Sequence, residues 1–293
     1  MNFSALETFL AVAAARSFSR AAISLHLTHP AVTKRIKTLE NTLDTRLFDR
    51  VGKQVHLSSG GQLLLPRAEN LVAAMHDTQR LLRNLNEQIS GSLHLATSHH
   101  VGLHRLAPVL KEFSNTFDAV QLDIRFEDSE AAHDLVRKGD SELAVVTLNP
   151  EGDRNLDYHA LWDDPLCFIV ASDHPLASAG AVALPDLPSY PAVLPGLATY
   201  TGRIVAGLFS ERQIELTSHL STNYLETISM LAGIGLGWSV LPASMVTGNL
   251  VRLNTDAPPL RRTLGCVTNP NRTQSNAAQA FIEVLERFAD QPT

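Results

Sequence analysis

Ten consecutive residues, 28–37, concentrate groups of the kind that meet phosphates and bases. Thr28, His29, Thr33, Lys34, Arg35 and Lys37 supply hydroxyl, imidazole and cationic donors, and Pro30 and Ala31 add small apolar surface of the sort that meets thymine methyls. A second cationic pair, Arg50 and Lys53, flanks Val51-Gly52 and can address a phosphate backbone or a minor groove. Much further along lie Ser98-His99-His100, Thr147, Tyr200-Thr201 and Thr222-Asn223. Each falls where an apolar strand pattern gives way to a helical one. Hydroxyls beside the free amides of a helix start suit a carboxylate or another small anion.

Other chemistry is weaker in the sequence. His94, His99, His100 and His104 form the densest histidine cluster, and His100 and His104 stand one helical turn apart, a spacing that can hold a metal on one face. No neighbouring Cys or spaced carboxylate completes a site there, so no metal is expected. Gly233-Ile234-Gly235-Leu236-Gly237 follows a helical pattern, whereas a dinucleotide loop follows a strand and opens a helix. No Ser/His/Asp or Cys/His set has a spacing that indicates catalysis. Neither catalytic residues nor a cofactor are expected.

The elements that must position the first cluster are helices. Leu6, Phe9, Leu10 and Ala13 recur at helical spacing up to Arg16, and Ser19 is a candidate cap for a second helix through Leu25. After His26-Leu27, Thr28 can cap a third helix with Pro30 in its first turn, running to about Leu43 and burying Val32, Ile36 and Leu39. Two helices joined by a tight turn, the second basic, make the arrangement that enters a major groove. Leu47-Phe48 and Val55-His56-Leu57 read as a short hairpin, a wing. Residues 59–89 then carry Leu64, Ala68, Leu71, Met75, Thr78, Leu82 and Leu85 at alternating spacings of four and three. That is a heptad seam suited to a second copy of itself, with a kink expected at Pro66.

From residue 90 onward strands alternate with helices. Leu93–Thr97, Val120–Phe126 and Leu143–Thr147 are strand patterns separated by helices around Leu106–Phe113 and Ala131–Lys138. A second unit starts at Leu166–Ala171 and includes a helix Tyr224–Ala232; a strand Thr263–Thr268 and a helix Asn276–Ala289 end the chain. Such order predicts a mainly parallel sheet covered by helices and divided into two lobes, about 90–161 with 265–293, and about 162–264. Ligands of such sheets bind in the cleft at the strand ends. The fold class is therefore α+β multidomain: a winged helix-turn-helix at 1–58, a linker helix at 59–89 and a two-lobed α/β domain at 90–293.

The run from Ser17 to Gly61 resembles the head of LysR-type transcriptional regulators. It holds, in order, Ser-Phe-x-x-Ala-Ala, Pro-Ala-Val at the third helix, Ile-x-x-Leu-Glu and Leu-Phe-x-Arg. Ser172-Asp173-His174-Pro175-Leu176-Ala177 and the segment 233–242 are similar to landmarks of that family's effector domain, which is itself like periplasmic solute-binding proteins. The resemblance implies a double-stranded DNA operator, a small-molecule effector in the cleft and no enzymatic activity. It further implies a homodimer or homotetramer and contact with RNA polymerase. Two positions depart from the pattern: Thr28-His29 stands where Ser-Gln is usual, and Ser58-Ser59-Gly60-Gly61 where Thr-x-x-Gly is usual. Since the glutamine is a common base contact in the family, His29 leaves the operator half-site open.

Bulk properties agree. The net charge of −6 divides unevenly: residues 1–58 hold eight Lys or Arg against four Asp or Glu, and residues 91–293 hold 13 against 23. A basic head on an acidic body fits a phosphate-binding module joined to a separate domain. Cys167 and Cys266 read as small buried hydrophobes, as expected of a chain in the reducing cytoplasm. No apolar run is long enough to span a membrane. The rival reading is a cytoplasmic solute-binding or enzymatic α/β protein whose basic head makes protein contacts. The apolar stretch Phe9–Ala15 lacks the basic lead of a signal peptide, which counts against a periplasmic binder.

Overall fold

A computed structural model describes residues 2–51, 54–85 and 88–290. The chain divides into two compact units, residues 1–83 and 84–293.

In the first unit, α1 (Phe3–Ala15) is capped by Asn2, whose side chain accepts a hydrogen bond from the Ala5 N–H, and it buries Ala5, Leu6, Phe9 and Val12. The second helix, α2 (Phe18–Ser24), is capped by Ser17 and not by Ser19 as expected. Phe18 is buried at the first helical position, and this anchors the helix start two residues earlier than a cap at Ser19 would. His26 takes a left-handed conformation in the turn. Thr28 then caps α3 (His29–Leu43), accepting from the Ala31 N–H at 3.4 Å, and Val32, Ile36 and Leu39 face inward.

Strands β1 (Phe48–Val51) and β2 (Gln54–Leu57) pair antiparallel as the wing. Glu40 secures its base by accepting from the Leu47 N–H at 2.8 Å. The Ser58 hydroxyl accepts from the Gly61 N–H at 3.0 Å and donates to the Arg46 carbonyl at 2.6 Å, so it supplies the hydroxyl that a threonine would supply there. Gly61 is obligatory, because a Cβ would lie 2.1 Å from the Leu47 carbonyl oxygen. From this knot α4 (Ser59–Arg83) runs without a break through Pro66. Its expected seam is split. Leu64 and Ala68 pack on the head's own core, together with Val72, while Leu71, Met75, Thr78 and Leu82 stay exposed. The cause is α1, whose Leu6, Phe9 and Val12 share that core with Leu64, Ala68 and Val72 and whose Phe3 meets the His76 ring edge-on at 5.4 Å.

In the second unit, β3 (Gly91–Thr97) leads into a continuous helical run made of α5 (His99–Val101), a π-helical turn (Gly102–Leu106) and α6 (Ala107–Thr116). Next come β4 (Val120–Phe126), α7 (Ser129–Lys138), β5 (Leu143–Thr147) and the long β6 (Asp157–Ala171). The second lobe adds β7 (Ala181–Val182), β8 (Val193–Leu194), α8 (Tyr200–Glu211), β9 (Leu220–Ser221) and α9 (Leu225–Gly233). It continues with β10 (Ser239–Pro242), β11 (Leu250–Arg252) and β12 (Asn254–Thr255). β13 (Leu260–Thr268) and α10 (Asn276–Glu286) complete the described chain.

One sheet in the order β10-β6-β13-β5-β3-β4 runs through both lobes, with β11 also on β6. It is parallel only across β4, β3 and β5. The expected mainly parallel sheet fails at β6 and β13: these carry the chain out of the first lobe and back, side by side, and so must pair antiparallel. Trp162 and Leu264 belong to a core with Leu93, Phe113 and Phe281, whereas Leu166 belongs to one with Phe168, Phe209 and Trp238, and Leu260 packs against it. The two lobes therefore change over within a few residues on each strand. The β6–β13 register shifts there, between Leu264 and Gly265, and a Cβ on Gly265 would lie 2.3 Å from the His159 carbonyl oxygen. The landmark segment 233–242 is structural: Trp238 stacks on Phe209 at 5.7 Å and donates to the Leu187 carbonyl at 2.9 Å. Cys167 and Cys266 are buried and free, and burial raises both thiols, Cys266 to about 12. Among the described residues no helix is long and apolar enough to cross a membrane.

Candidate functional site

Two surfaces are candidates, one in each unit. On α3, residues 32, 36 and 39 face the core, and the helical period turns Pro30, Lys34 and Lys37 outward. Thr28, His29, Pro30, Lys34 and Lys37 are exposed, and Ala31 and Thr33 are half-buried. The Thr33 hydroxyl donates to the His29 carbonyl at 3.0 Å. Arg35 lies on the flank: it is half-buried and donates from Nη1 to the Thr8 hydroxyl on α1 at 3.4 Å. The structure thus groups Thr28, His29, Pro30, Lys34 and Lys37 on open surface and assigns Arg35 a packing contact as well. Arg50 lies on β1, and Lys53 falls outside the described residues.

The second candidate is a cavity of about 220 Å³ between the lobes of the second unit. Ser98, His99, His100, Thr147, Tyr200, Thr201 and Asn223 line it, contributed by the ends of β3 and β5 and the approaches to α8 and α9. Thr222 does not. Its hydroxyl turns back to accept from the Tyr224 N–H at 3.4 Å, because the chain bends between β9 and α9. Thr199, one residue before the expected pair, caps α8 and accepts from the Gly202 N–H at 3.0 Å.

Several groups that carry the cleft's electrostatics stand outside the residues expected from the sequence. Arg262, 6% exposed, donates from Nε to Asp164 at 2.7 Å and from Nη1 to the Thr201 hydroxyl at 3.0 Å. Its Nη2 is buried and has no hydrogen-bond partner among the described residues. Burial presses this guanidinium below its ordinary value while Asp164 opposes the shift; an arginine starts so high that it stays charged. The readable signal is the Arg261-Arg262 doublet at the head of an apolar strand, since alternation turns one of the two inward. Glu127, Asp128 and Glu130 line the same cavity. Asp128 accepts from the Asn223 side-chain amide at 2.7 Å, Asn223 in turn accepts from the Gly196 N–H at 3.2 Å, and Glu130 accepts from the Tyr200 N–H. These bonds tie α7 of one lobe to the helix starts of the other.

His100 is buried at the cleft's edge. Burial, with Arg262 beside it, lowers its imidazole to about 4, so the ring is neutral at neutral pH. Glu226, from the first turn of α9, lies within reach of both His100 and His104. Burial alone would raise this carboxyl, but its own backbone N–H and the two histidines hold it below the ordinary carboxylate range.

Comparison with known proteins covers both surfaces. A family model described as the LysR substrate binding domain matches residues 86–290, and one described as the bacterial regulatory helix-turn-helix protein, lysR family, matches residues 3–62. The chain is 27% identical to a probable RuBisCO transcriptional regulator of Nostoc sp., over 97% of its own length and 88% of that protein's. Full-length CbnR in complex with its target DNA is similar in fold, with a TM-score of 0.65 at 19% identity over 99% of this chain and all of that one. The effector binding domain of QuiR in complex with shikimate superposes with a TM-score of 0.61 at 19% identity, covering 68% of this chain and 97% of that one.

Proposed function

The chain belongs to the LysR family of bacterial helix-turn-helix regulators, and from that membership we propose that α3 reads an operator while a small monoanionic effector binds around Arg262. As a family member it is a DNA-binding transcriptional regulator with an effector-binding domain, and not an enzyme. The observation that carries the effector reading is that Arg262, which lines the cleft, has a buried Nη2 with no hydrogen-bond partner among the described residues. A buried donor without a partner is costly, and a carboxylate there would satisfy it with a charge-assisted bond. Glu127, Asp128 and Glu130 repel a second negative charge, so the same ligand turns hydroxyl or ammonium donors toward them. Shikimate, held by the QuiR domain, is a hydroxylated carboxylate of this kind.

In this reading Ser98, His99, His100, Thr147, Tyr200, Thr201 and Asn223 complete the pocket. Thr28, His29, Pro30, Lys34 and Lys37, with Ala31, Thr33 and Arg35 at the margin and Arg50 and Lys53 from the wing, meet bases and phosphates. The exposed half of α4 pairs with a second copy, so that two heads read an inverted repeat. The family resemblance adds pairing of dimers through effector domains, contact with RNA polymerase and action in the cytoplasm. Effector binding shifts the population between arrangements of the heads.

Mobility-shift titration of the purified chain on DNA upstream of its own gene tests the head. A specific, salt-sensitive shift is expected, weaker in Lys34→Ala, with the salt slope reduced by about 0.9 for a lost phosphate contact. No specific shift at any protein concentration would overturn it. A thermal-shift screen of hydroxylated and amino carboxylates tests the pocket: the stabilisation expected from a ligand of the folded state should vanish in Arg262→Met. An equal shift in that variant would move the anion site elsewhere.

A further inference from the structure

His100 and His104 flank the start of the π-helical turn Gly102–Leu106, a widened geometry often found at functional sites. Their rings lie side by side with centroids 4.6 Å apart. The carboxylate missing from the local sequence arrives from the other lobe. Nδ1 of His100 and Nε2 of His104 lie 3.4 Å and 3.1 Å from the same oxygen, Oε1 of Glu226. All three ligand atoms fall within 4.8 Å of one another. A tetrahedral ion bound at about 2.0–2.1 Å to each donor keeps its donors about 3.3 Å apart, the spacing both His–Glu pairs already have.

An ordinary ion pair explains this cluster poorly. At 3.4 Å the contact between His100 Nδ1 and Glu226 is long for a hydrogen bond or a close ion pair. Oε2 of Glu226 is buried and lacks a hydrogen-bond partner among the described residues. A cation between the three side chains would compensate that carboxylate. Arg262 contributes an opposing positive field, which Asp164, bonded to it, partly offsets.

We propose that His100, His104 and Glu226 form a binding site for a divalent transition metal with the ligand preferences of zinc. Both imidazoles bind as neutral rings, with the ring proton on Nε2 of His100 and on Nδ1 of His104. Two imidazoles and one carboxylate favour zinc over magnesium or calcium, and three protein ligands leave a fourth position for water. Because His100 also lines the cleft, the ion borders the effector chamber, and because Glu226 comes from α9 the ion links the two lobes.

The test uses the full chain without an affinity tag, stripped of metal by chelator and dialysis, and titrated calorimetrically with Zn²⁺. One tight ion per chain is expected, and His104→Ala should weaken it by more than about tenfold. His104 is largely exposed, so that variant's metal-free melting temperature and circular dichroism should match the parent's. Co²⁺ should give the visible absorption of a tetrahedral site in the parent and lose it in Glu226→Gln. Absence of tight Zn²⁺ binding to the parent overturns the proposal. So does equal binding by His104→Ala and Glu226→Gln, which would assign the ion to other histidines. Neither result bears on the DNA or effector reading, since no operator or organic ligand enters the assay.

Discussion

Arg262 keeps one nitrogen on Asp164 and one on Thr201, and its third is buried without a hydrogen-bond partner among the described residues. Its carboxylate partner is 2% exposed, so the pair is isolated from water on both sides. Removing one member of such a pair leaves an uncompensated buried charge, and Asp164→Ala is expected to lower the unfolding free energy by about 3–5 kcal/mol in denaturant titration. A loss under about 1 kcal/mol would show that water reaches the guanidinium and that its free nitrogen needs no ligand. The sequence exposes this scale unevenly. Thr28, Lys34 and Lys37 are readable because a cap and a helical face are set within a turn or two of chain. For Arg262 the doublet with Arg261 marks an inward-turned arginine but not its partners, and Glu226 and Glu130 carry no local mark at all, because what gives them meaning comes from partners far away in sequence.

Among the elements, α4 shows what a periodic pattern can and cannot tell. The heptad spacing is real, but spacing does not say which partner covers it: α1 and the head core take Leu64 and Ala68, and the seam is free only from Leu71 onward. Leu71 and Met75, 47% and 43% exposed, are large apolar side chains left for another surface. Replacing both by glutamate should lower the mass measured by analytical ultracentrifugation while leaving the head folded, since neither belongs to its core. An unchanged mass would place self-association on other elements. The sheet teaches the same lesson. Strand and helix order predicts parallel pairing correctly for β3, β4 and β5, where each crossover is a local βαβ unit. It misses β6 and β13, whose pairing joins residues about a hundred positions apart.

At the scale of the whole second unit, acid stability has a traceable source. His133 of α7 is buried against Tyr158 and Tyr200, with Nδ1 2.6 Å from the Ser129 carbonyl. Burial, joined by Arg137, lowers its imidazole below the ordinary 6.5 despite the Ser129 bond and the nearby Asp134 and Asp153. The unfolded chain therefore takes up the proton first as pH falls. The contribution is complete above about pH 6.5 and is lost below it. Between about pH 7.5 and 5.5 the melting temperature of the parent should fall further than that of His133→Gln; parallel falls would locate the acid sensitivity elsewhere.

Followed as a thread, the chain enters the second lobe along β6 and leaves along β13, and these two passages are hydrogen-bonded neighbours, with Pro165 opposite Arg261. The lobe is thus a cassette spliced into a hairpin. Cutting it out and closing Pro165 to Arg261 with a tight turn would leave the first lobe's sheet order intact, whereas the cassette alone would carry two severed strand edges. Large changes in the cassette's length or content can therefore accumulate without re-threading the rest of the domain, provided the two ends of the splice stay in register.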